Sequence, residues 1–179
     1  MKITNITDTH HPFYPAFRQL YTTSFPDFEQ RSDAQQRLAF TAPGYCLDLY
    51  HRHDKLTGFL SYWLFDDYIY IEHFAVAPEC RGQGYGSSIL QAFVSARPLT
   101  VLLEIDPVTD EQSAARLKFY QRCGFVKNPF PHVHPPYHKK YEGHSLLVLT
   151  TPKEINEKTY ARFSRDLAVY VMEPARALE

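Results

Sequence analysis

The chain lacks most of the features that would tie it to a membrane, a secretory route or nucleic acid. No apolar run approaches the roughly 20 residues of a membrane span. The longest, Phe59 to Phe65, is interrupted by Ser61. The opening Met1-Lys2-Ile3-Thr4-Asn5 has no apolar signal core. Cysteine is scarce: Cys46, Cys80 and Cys123 are odd in number and lack Cys-x-x-Cys spacing. That argues against a disulfide framework and for free thiols in a reducing compartment. The formal charge is only -1, so no global field gathers nucleic acid or an anionic membrane. A cytoplasmic chain with neither as partner is expected. Glycine is sparse too, 7 in 179 residues, yet three fall within Arg81–Gly86.

What is present fits one ordinary globular domain. Hydrophobic residues make up 44% and charged residues 22%. Phe13, Phe17, Leu20 and Tyr21 have the spacing of a short amphipathic helix. A second, polar helix is predicted over Asp27 to Phe40, stopped by Pro43-Gly44. The period then changes. Tyr45 to His51, Thr57 to Phe65 and Tyr68 to Val76 read as three strands of an antiparallel meander, with a hairpin turn at Arg52 to Lys55. A glycine-rich run leads into a helix near Ser87 to Ala96, and Leu99 to Ile105 is an apolar strand carrying Glu104. A helix over Asp110 to Cys123 ends at Gly124, a C-cap. Phe125 to Lys127 and Ser145 to Thr150 read as strands around a Pro- and His-rich loop, Asn128 to His144. Thr151-Pro152-Lys153-Glu154 has the pattern of a capping box opening a final helix. Its apolar stripe runs through Ile155, Tyr160, Phe163, Leu167 and Val171. This order is a mixed-sheet α/β layout.

Arg81-Gly82-Gln83-Gly84-Tyr85-Gly86 lies between a strand and a helix. Glycines there let backbone N–H groups close on a ligand, and the helix N-terminus adds a positive dipole end, a combination suited to pyrophosphate. A nucleotide P-loop would need Gly-Lys-Ser/Thr, and Gly86-Ser87-Ser88 has no lysine. A dinucleotide loop would need Gly-x-Gly-x-x-Gly, and here the third glycine is one residue early, although Glu104 lies about 20 residues on as that motif asks. A plain turn remains as the bland reading, at the cost of three glycines.

The stretch Val76-Ala77-Pro78-Glu79-Cys80-Arg81-Gly82-Gln83-Gly84-Tyr85-Gly86 resembles the signature of the GNAT N-acetyltransferases, Arg/Gln-x-x-Gly-x-Gly/Ala after a strand ending in valine. A second motif follows in order: the helix Ser113 to Cys123, with Tyr120, then Gly124-Phe125 entering a strand. The chain departs from the family at Ser113, where many members carry asparagine, and at Arg116, where many carry alanine.

The resemblance implies a GNAT fold of the mixed α/β (α+β) class. Its central sheet is mostly antiparallel and flanked by helices, with the pyrophosphate loop between the fourth strand and the third helix. It implies one acetyltransferase domain over residues 1–150, with 151–179 as a C-terminal amphipathic helix packed on the same domain or pairing two chains as a homodimer. It implies acetyl-CoA as co-substrate and no metal. The acetyl group would pass directly, in a ternary complex, to a primary amine on a small molecule or peptide. Phe74, Ala75 and Val76 would offer backbone to the pantetheine arm. Arg81, Gly82, Gln83, Gly84, Tyr85, Gly86, Ser87 and Ser113 would hold the rest of the cofactor. Tyr120 would protonate the leaving thiolate, since a phenol and an alkyl thiol lose protons in a similar range.

Glu72 and Glu104 are the candidate bases, singly or together, and the alternative for each is a salt bridge or an acid at a strand edge. Glu104 is a carboxylate in an otherwise apolar strand and needs a partner or a purpose. Glu72 shares strand parity with Phe74 and Val76, which predicts one common face, with His73 on the other. His132, His134, His138 and His144 are irregularly spaced and joined by no Cys or carboxylate cluster, so a substrate-facing loop is favoured over a metal site. A non-catalytic acyl-CoA-binding module of the same fold is the alternative. It predicts cofactor binding without turnover.

Overall fold

A computed structural model describes every residue from Met1 to Glu179. Seven strands form one sheet in the order β1-β2-β3-β4-β5-β9-β6, where β1 is Lys2–Ile6, β2 Tyr45–Arg52, β3 Lys55–Leu64, β4 Tyr68–Val76, β5 Thr100–Ile105, β6 Val126–Lys127 and β9 Leu147–Thr151. Only β4 and β5 run parallel; every other neighbour is antiparallel. The short strands β7 (Val133–His134) and β8 (His144–Ser145) pair separately as a small ladder.

The meander forms as its alternation predicts, and its first turn uses two residues of positive φ, His53 and Asp54, as a tight hairpin requires. β1 had no clear signal. Of its five residues only Ile6 is buried, and its place is set by pairing with β2, where the Asn5 amide donates to Asp48 and to the Leu47 carbonyl.

The helices cover both faces. On one face lie α3 (Tyr85–Ser95) and α4 (Glu111–Arg122), whose Ile89, Leu90 and Phe93 pack with Tyr62, Ile69, Ile71, Val101, Leu103 and Phe125. On the other lie α1 (Tyr14–Ser24), α2 (Asp33–Thr41) and the C-terminal helix. There Phe17, Leu20 and Tyr21 bury against Leu47, Leu49 and Phe59, and Phe163, Leu167 and Val171 against Tyr68, Tyr70, Leu102 and Val148.

Two helix boundaries differ from the sequence reading. The polar helix does not begin at Asp27. Asp27–Glu29 forms a single 3₁₀ turn, Gln30 is extended, and α2 starts after Ser32. Ser32 and Gln35 make a reciprocal capping box, the stronger local signal. The final helix does not begin at Pro152 either. Thr151 stays in β9, opposite Val101, and α5 (Glu157–Asp166) starts behind Asn156, whose side chain accepts from the Thr159 N–H. It continues through a π-helical stretch, Leu167–Met172, into α6 (Glu173–Arg176).

Candidate active site

Two irregularities of β4 build the site. The first is the end of its pairing with β5. The two strands are in register from Tyr68↔Thr100 to Ile71↔Leu103 and then separate. Beyond that fork the backbone of Glu72–Val76 has lost its parallel neighbour. The second is a β-bulge. Ser61 pairs with His73 and Tyr62 with Ile71, so Glu72 is the extra residue.

The bulge resets the alternation of the strand, which corrects the expected parity. Glu72 and His73 turn their side chains toward the same α1/α2 face, where Glu72 meets Trp63 and His73 meets Ser61. Phe74 and Val76 face α3 and α4.

A cavity of about 430 Å³ opens along this fork. At one end stand Arg81, Arg116 and Asp106. Along its middle run Phe74, Ala75, Val76, Leu103, Ile105 and Tyr120. At the other end are Phe25, Phe28, Glu29, Glu104, His134, Tyr137 and His144.

The glycine loop lies at the arginine end. Gly82 and Gly84 sit at φ 73° and 79°, a conformation that strains any residue with a Cβ. Gly84 is the N-cap of α3. A Cβ on Gly86 would lie 3.4 Å from both Val76 and Phe119, so its bareness lets α3 close on β4 and α4. No backbone acceptor takes the N–H groups from Gly82 to Ser87. Six donors in a row at a helix N-terminus are an anion cradle. The loop's side chains turn elsewhere: Gln83 donates to the Glu79 carbonyl, Ser87 to the Gly84 carbonyl, and Tyr85 lies beneath the Arg52 guanidinium. Of the two arginines that line the cavity, Arg81 donates to the Val76 carbonyl and Arg116 is paired with Asp106.

Ser113 does not join the cradle. Its hydroxyl accepts from the Thr109 and Asp110 N–H groups and donates to Asp110, as half of the capping box of α4. It lies outside the cavity, and its side chain serves the helix end in place of the expected cofactor contact.

Tyr120 lines the middle of the cavity, beside Phe119 and Phe125. Burial pushes its phenol up to about 12, against a smaller opposing pull from Arg116. It therefore holds its proton throughout the neutral range.

The two candidate carboxylates have different surroundings. The Glu72 side chain is fully buried. Its Oε1 is 2.8 Å from Arg31 Nη2 and accepts from the Tyr137 hydroxyl at 2.8 Å, while Oε2 accepts from the Trp63 indole at 2.8 Å. Burial alone would raise its pKa, but the Arg31 guanidinium outweighs it and the carboxyl sits at about 2. A group so held is stabilised as the anion and has little affinity for a substrate proton. Glu72 lines the cavity, as a base would, but its charge is already matched by Arg31.

Arg31 gave no sign in the sequence of being more than part of a polar helix. It is 3% exposed, and it also donates to the Val171 carbonyl. Gln35 makes a parallel tie, donating to the carbonyls of Tyr137 and Ala175.

Glu104 is also buried, but its partners are titratable. Oε2 accepts from the Tyr70 hydroxyl at 2.7 Å, Oε1 is paired with His132, and His134 Nε2 lies 3.8 Å from Oε2. Burial pushes its pKa up, and His134, His132 and Tyr70 together pull it below the ordinary value. The convergence of His132 and His134 on Glu104 was invisible in the sequence, because 28 residues separate His132 from Glu104 in the chain.

The family model for the GNAT acetyltransferases matches residues 14–125. Among curated proteins, YjbC of Bacillus subtilis (strain 168), named a candidate acetyltransferase, is 31% identical over 103 residues, which cover 56% of this chain and 52% of that one. The match thus spans about half the length of that relative. Among solved structures, a candidate acetyltransferase of the GNAT family from Bacteroides thetaiotaomicron has a TM-score of 0.89 at 27% identity, over 96% of this chain and 98% of that one. A Bacillus subtilis acetyltransferase solved in complex with CoA has a TM-score of 0.56 at 15% identity, over 83% of this chain and 96% of the other. That likeness is one of fold.

Proposed function

The chain belongs to the GNAT acetyltransferase family, and from that premise we propose that it moves the acetyl group of acetyl-CoA directly to a primary amine, in a ternary complex. The observation that carries this reading is the single cavity running from the unpaired N–H groups of Gly82–Ser87, through the β4/β5 fork and past Tyr120, to Glu104 and His134. It has a cationic, donor-rich end for a pyrophosphate, an apolar middle for a thioester arm and a proton-handling end for an amine.

Arg81 and Arg116 flank the pyrophosphate in this reading, and the edge of Phe74–Val76 that has parted from β5 receives the pantetheine arm. A backbone N–H near Val76 polarises the thioester carbonyl, where negative charge develops on oxygen. As the C–S bond breaks, Tyr120 gives its proton to sulfur. Glu104 takes the amine proton. Glu104 is chosen over Glu72 because it has His132 and His134 beside its oxygens to pass a proton on to, whereas the Glu72 oxygens are held by Arg31, Tyr137 and Trp63. Glu72 is assigned the different task of pinning the bulge that exposes the β4 backbone. Residues 1–150 are read as the acetyltransferase domain, and 151–179 as a helical extension whose Val171 and Ala175 carbonyls are tied to Arg31 and Gln35.

Thermal melting with acetyl-CoA, CoA, NADH and ATP at equal concentration tests the cofactor. A ligand of the folded state at 100 times its dissociation constant adds about 2.7 kcal/mol. A shift with acetyl-CoA and CoA alone is expected, followed by thiol release with a panel of spermidine, L-lysine and an alanine-terminated peptide. Tyr120→Phe should keep the melt and lose about a hundredfold in turnover. A melt that moves only with NADH or ATP overturns the reading.

A further inference from the structure

Acetyl transfer to an amine leaves a proton to dispose of. An alkylamine arrives at neutral pH as R–NH₃⁺ and departs as R–NH–CO–CH₃, while the thioester sulfur departs as a thiol. Three hydrogens on nitrogen become one. Of the two lost, one replaces the proton that Tyr120 gives to sulfur, and the other must reach solvent in every turnover. Glu104 is enclosed, with a side chain 5% exposed, and cannot release it unaided.

We propose, resting on the acetyltransferase reading, that His134 and His144, which face each other across the β7–β8 ladder, carry this proton from Glu104 to Glu29 at the cavity mouth. The two histidines are direct register partners, with ring centroids 5.6 Å apart. At the inner end, His134 Nε2 is 3.8 Å from Glu104 Oε2 and 3.5 Å from the Tyr70 hydroxyl. Its Nδ1 is 2.6 Å from the Pro135 carbonyl. A carbonyl can only accept, so Nδ1 carries hydrogen and Nε2 is the nitrogen that gains and loses a proton toward the cavity. At the outer end, His144 Nε2 is 3.5 Å from Glu29 Oε1.

Exposure rises along the path, from 3% for the His134 side chain to 24% for His144 and 23% for Glu29. All three groups line the one cavity.

The surroundings favour traffic in this direction. The Glu29 carboxylate holds the His144 imidazole pKa above its ordinary value, with burial opposing and Glu104 and Asp106 assisting. His134 stacks on Tyr137, whose hydroxyl is committed to Glu72, and Phe28 closes edge-on over His144. His132, on the other oxygen of Glu104, leads instead to Tyr160 and the Pro131 carbonyl, outside the cavity. The ladder is built for close approach: a Cβ on Gly143 would stand 2.8 Å from the His134 carbonyl oxygen.

His144→Phe keeps a ring against Phe28 and His134 while removing the proton carrier. With whichever amine of the panel is turned over, kcat/KM at pH 7 should fall about a hundredfold, with the KM for acetyl-CoA unchanged. It should recover toward pH 10, where an alkylamine sheds its own proton, and added imidazole should restore part of the loss. An unchanged rate and pH profile, or a loss that neither high pH nor imidazole relieves, overturns the relay.

If the unaltered protein acetylates no amine of the panel, the acetyltransferase reading has failed separately. Histidine NMR then tests the pair without an acceptor. His144→Phe must shift the titration of His134, and titration of His134 indifferent to His144 rules the relay out.

Discussion

Glu72 and Glu104 are the residues that follow the last parallel pair, Ile71 and Leu103, on two neighbouring strands. Both side chains are buried on the same face, and both are bonded to a tyrosine, Glu72 to Tyr137 and Glu104 to Tyr70. What separates them is the partner cation. Glu72 faces Arg31, which keeps its charge under all working conditions. Glu104 faces His132 and His134, whose imidazole nitrogens can both give and take a proton. One carboxylate is therefore a fixed joint between the α1–α2 connection, β3, β4, the loop before β8 and the C-terminal helix, while the other is the one we assign to a proton path. Burial and an acidic side chain at the mouth of a fork do not identify a base; the permanence of the counter-charge does.

The largest expected effect comes from breaking the fixed joint. Arg31→Met should cost about 3–5 kcal/mol in urea unfolding, because it strands a buried carboxylate among groups arranged for an anion. The double variant Arg31→Met with Glu72→Met should recover most of that loss, since it removes the stranded charge as well. A single variant as stable as the unaltered protein would make the contrast between the two carboxylates meaningless.

Much of the fold was legible because its signals are local. The β4 limits, the glycine loop and the Tyr120 helix follow from alternation, turn chemistry and helical spacing within one segment each. The departures come from contacts between distant segments. A single bulge opposite Ser61–Tyr62 reversed the face of Glu72, and no property of Tyr68–Val76 alone encodes it. Arg31 reads as one more polar residue until Glu72, 41 positions away, is placed against it. Ser32-x-x-Gln35 is a readable helix start that lies inside the span predicted from Asp27. Thr151-Pro152 imitated one while its backbone remained in the sheet.

The acid limb of stability gives the next test. The Glu72 carboxyl is depressed to about 2 against roughly 4.3 in an unfolded chain. Its contribution is therefore present above the unfolded value and is lost as pH falls through the folded one. The loss amounts to about 2.4 kcal/mol between pH 4.5 and pH 2. Unfolding free energies measured across that window should be flatter in Glu72→Gln than in the unaltered chain by about that amount. Equal slopes would mean that the Arg31 pair is not what depresses the carboxyl.

The smallest expected effect on stability probes the Glu104 side without removing any proton-bearing group. A Cβ at Gly143 would meet the His134 carbonyl at 2.8 Å and the Val133 side chain at 2.9 Å, so Gly143→Ala forces β7 and β8 apart. Overpacking of this kind costs about 1–3 kcal/mol, and β7 and β8 are two residues each at the cavity edge, so a value at the low end is expected. Turnover should fall far more than stability, since a shift of about 1 Å in a positioned group is enough to cost a hundredfold. Acetyl-CoA binding, measured by calorimetry, should stay as it was, because the cradle at Gly82–Ser87 lies at the opposite end of the cavity. If Gly143→Ala loses cofactor affinity and turnover together, the two ends are not independent. The contrast would then lie between the sheet and its covering loop, and no longer between two carboxylates.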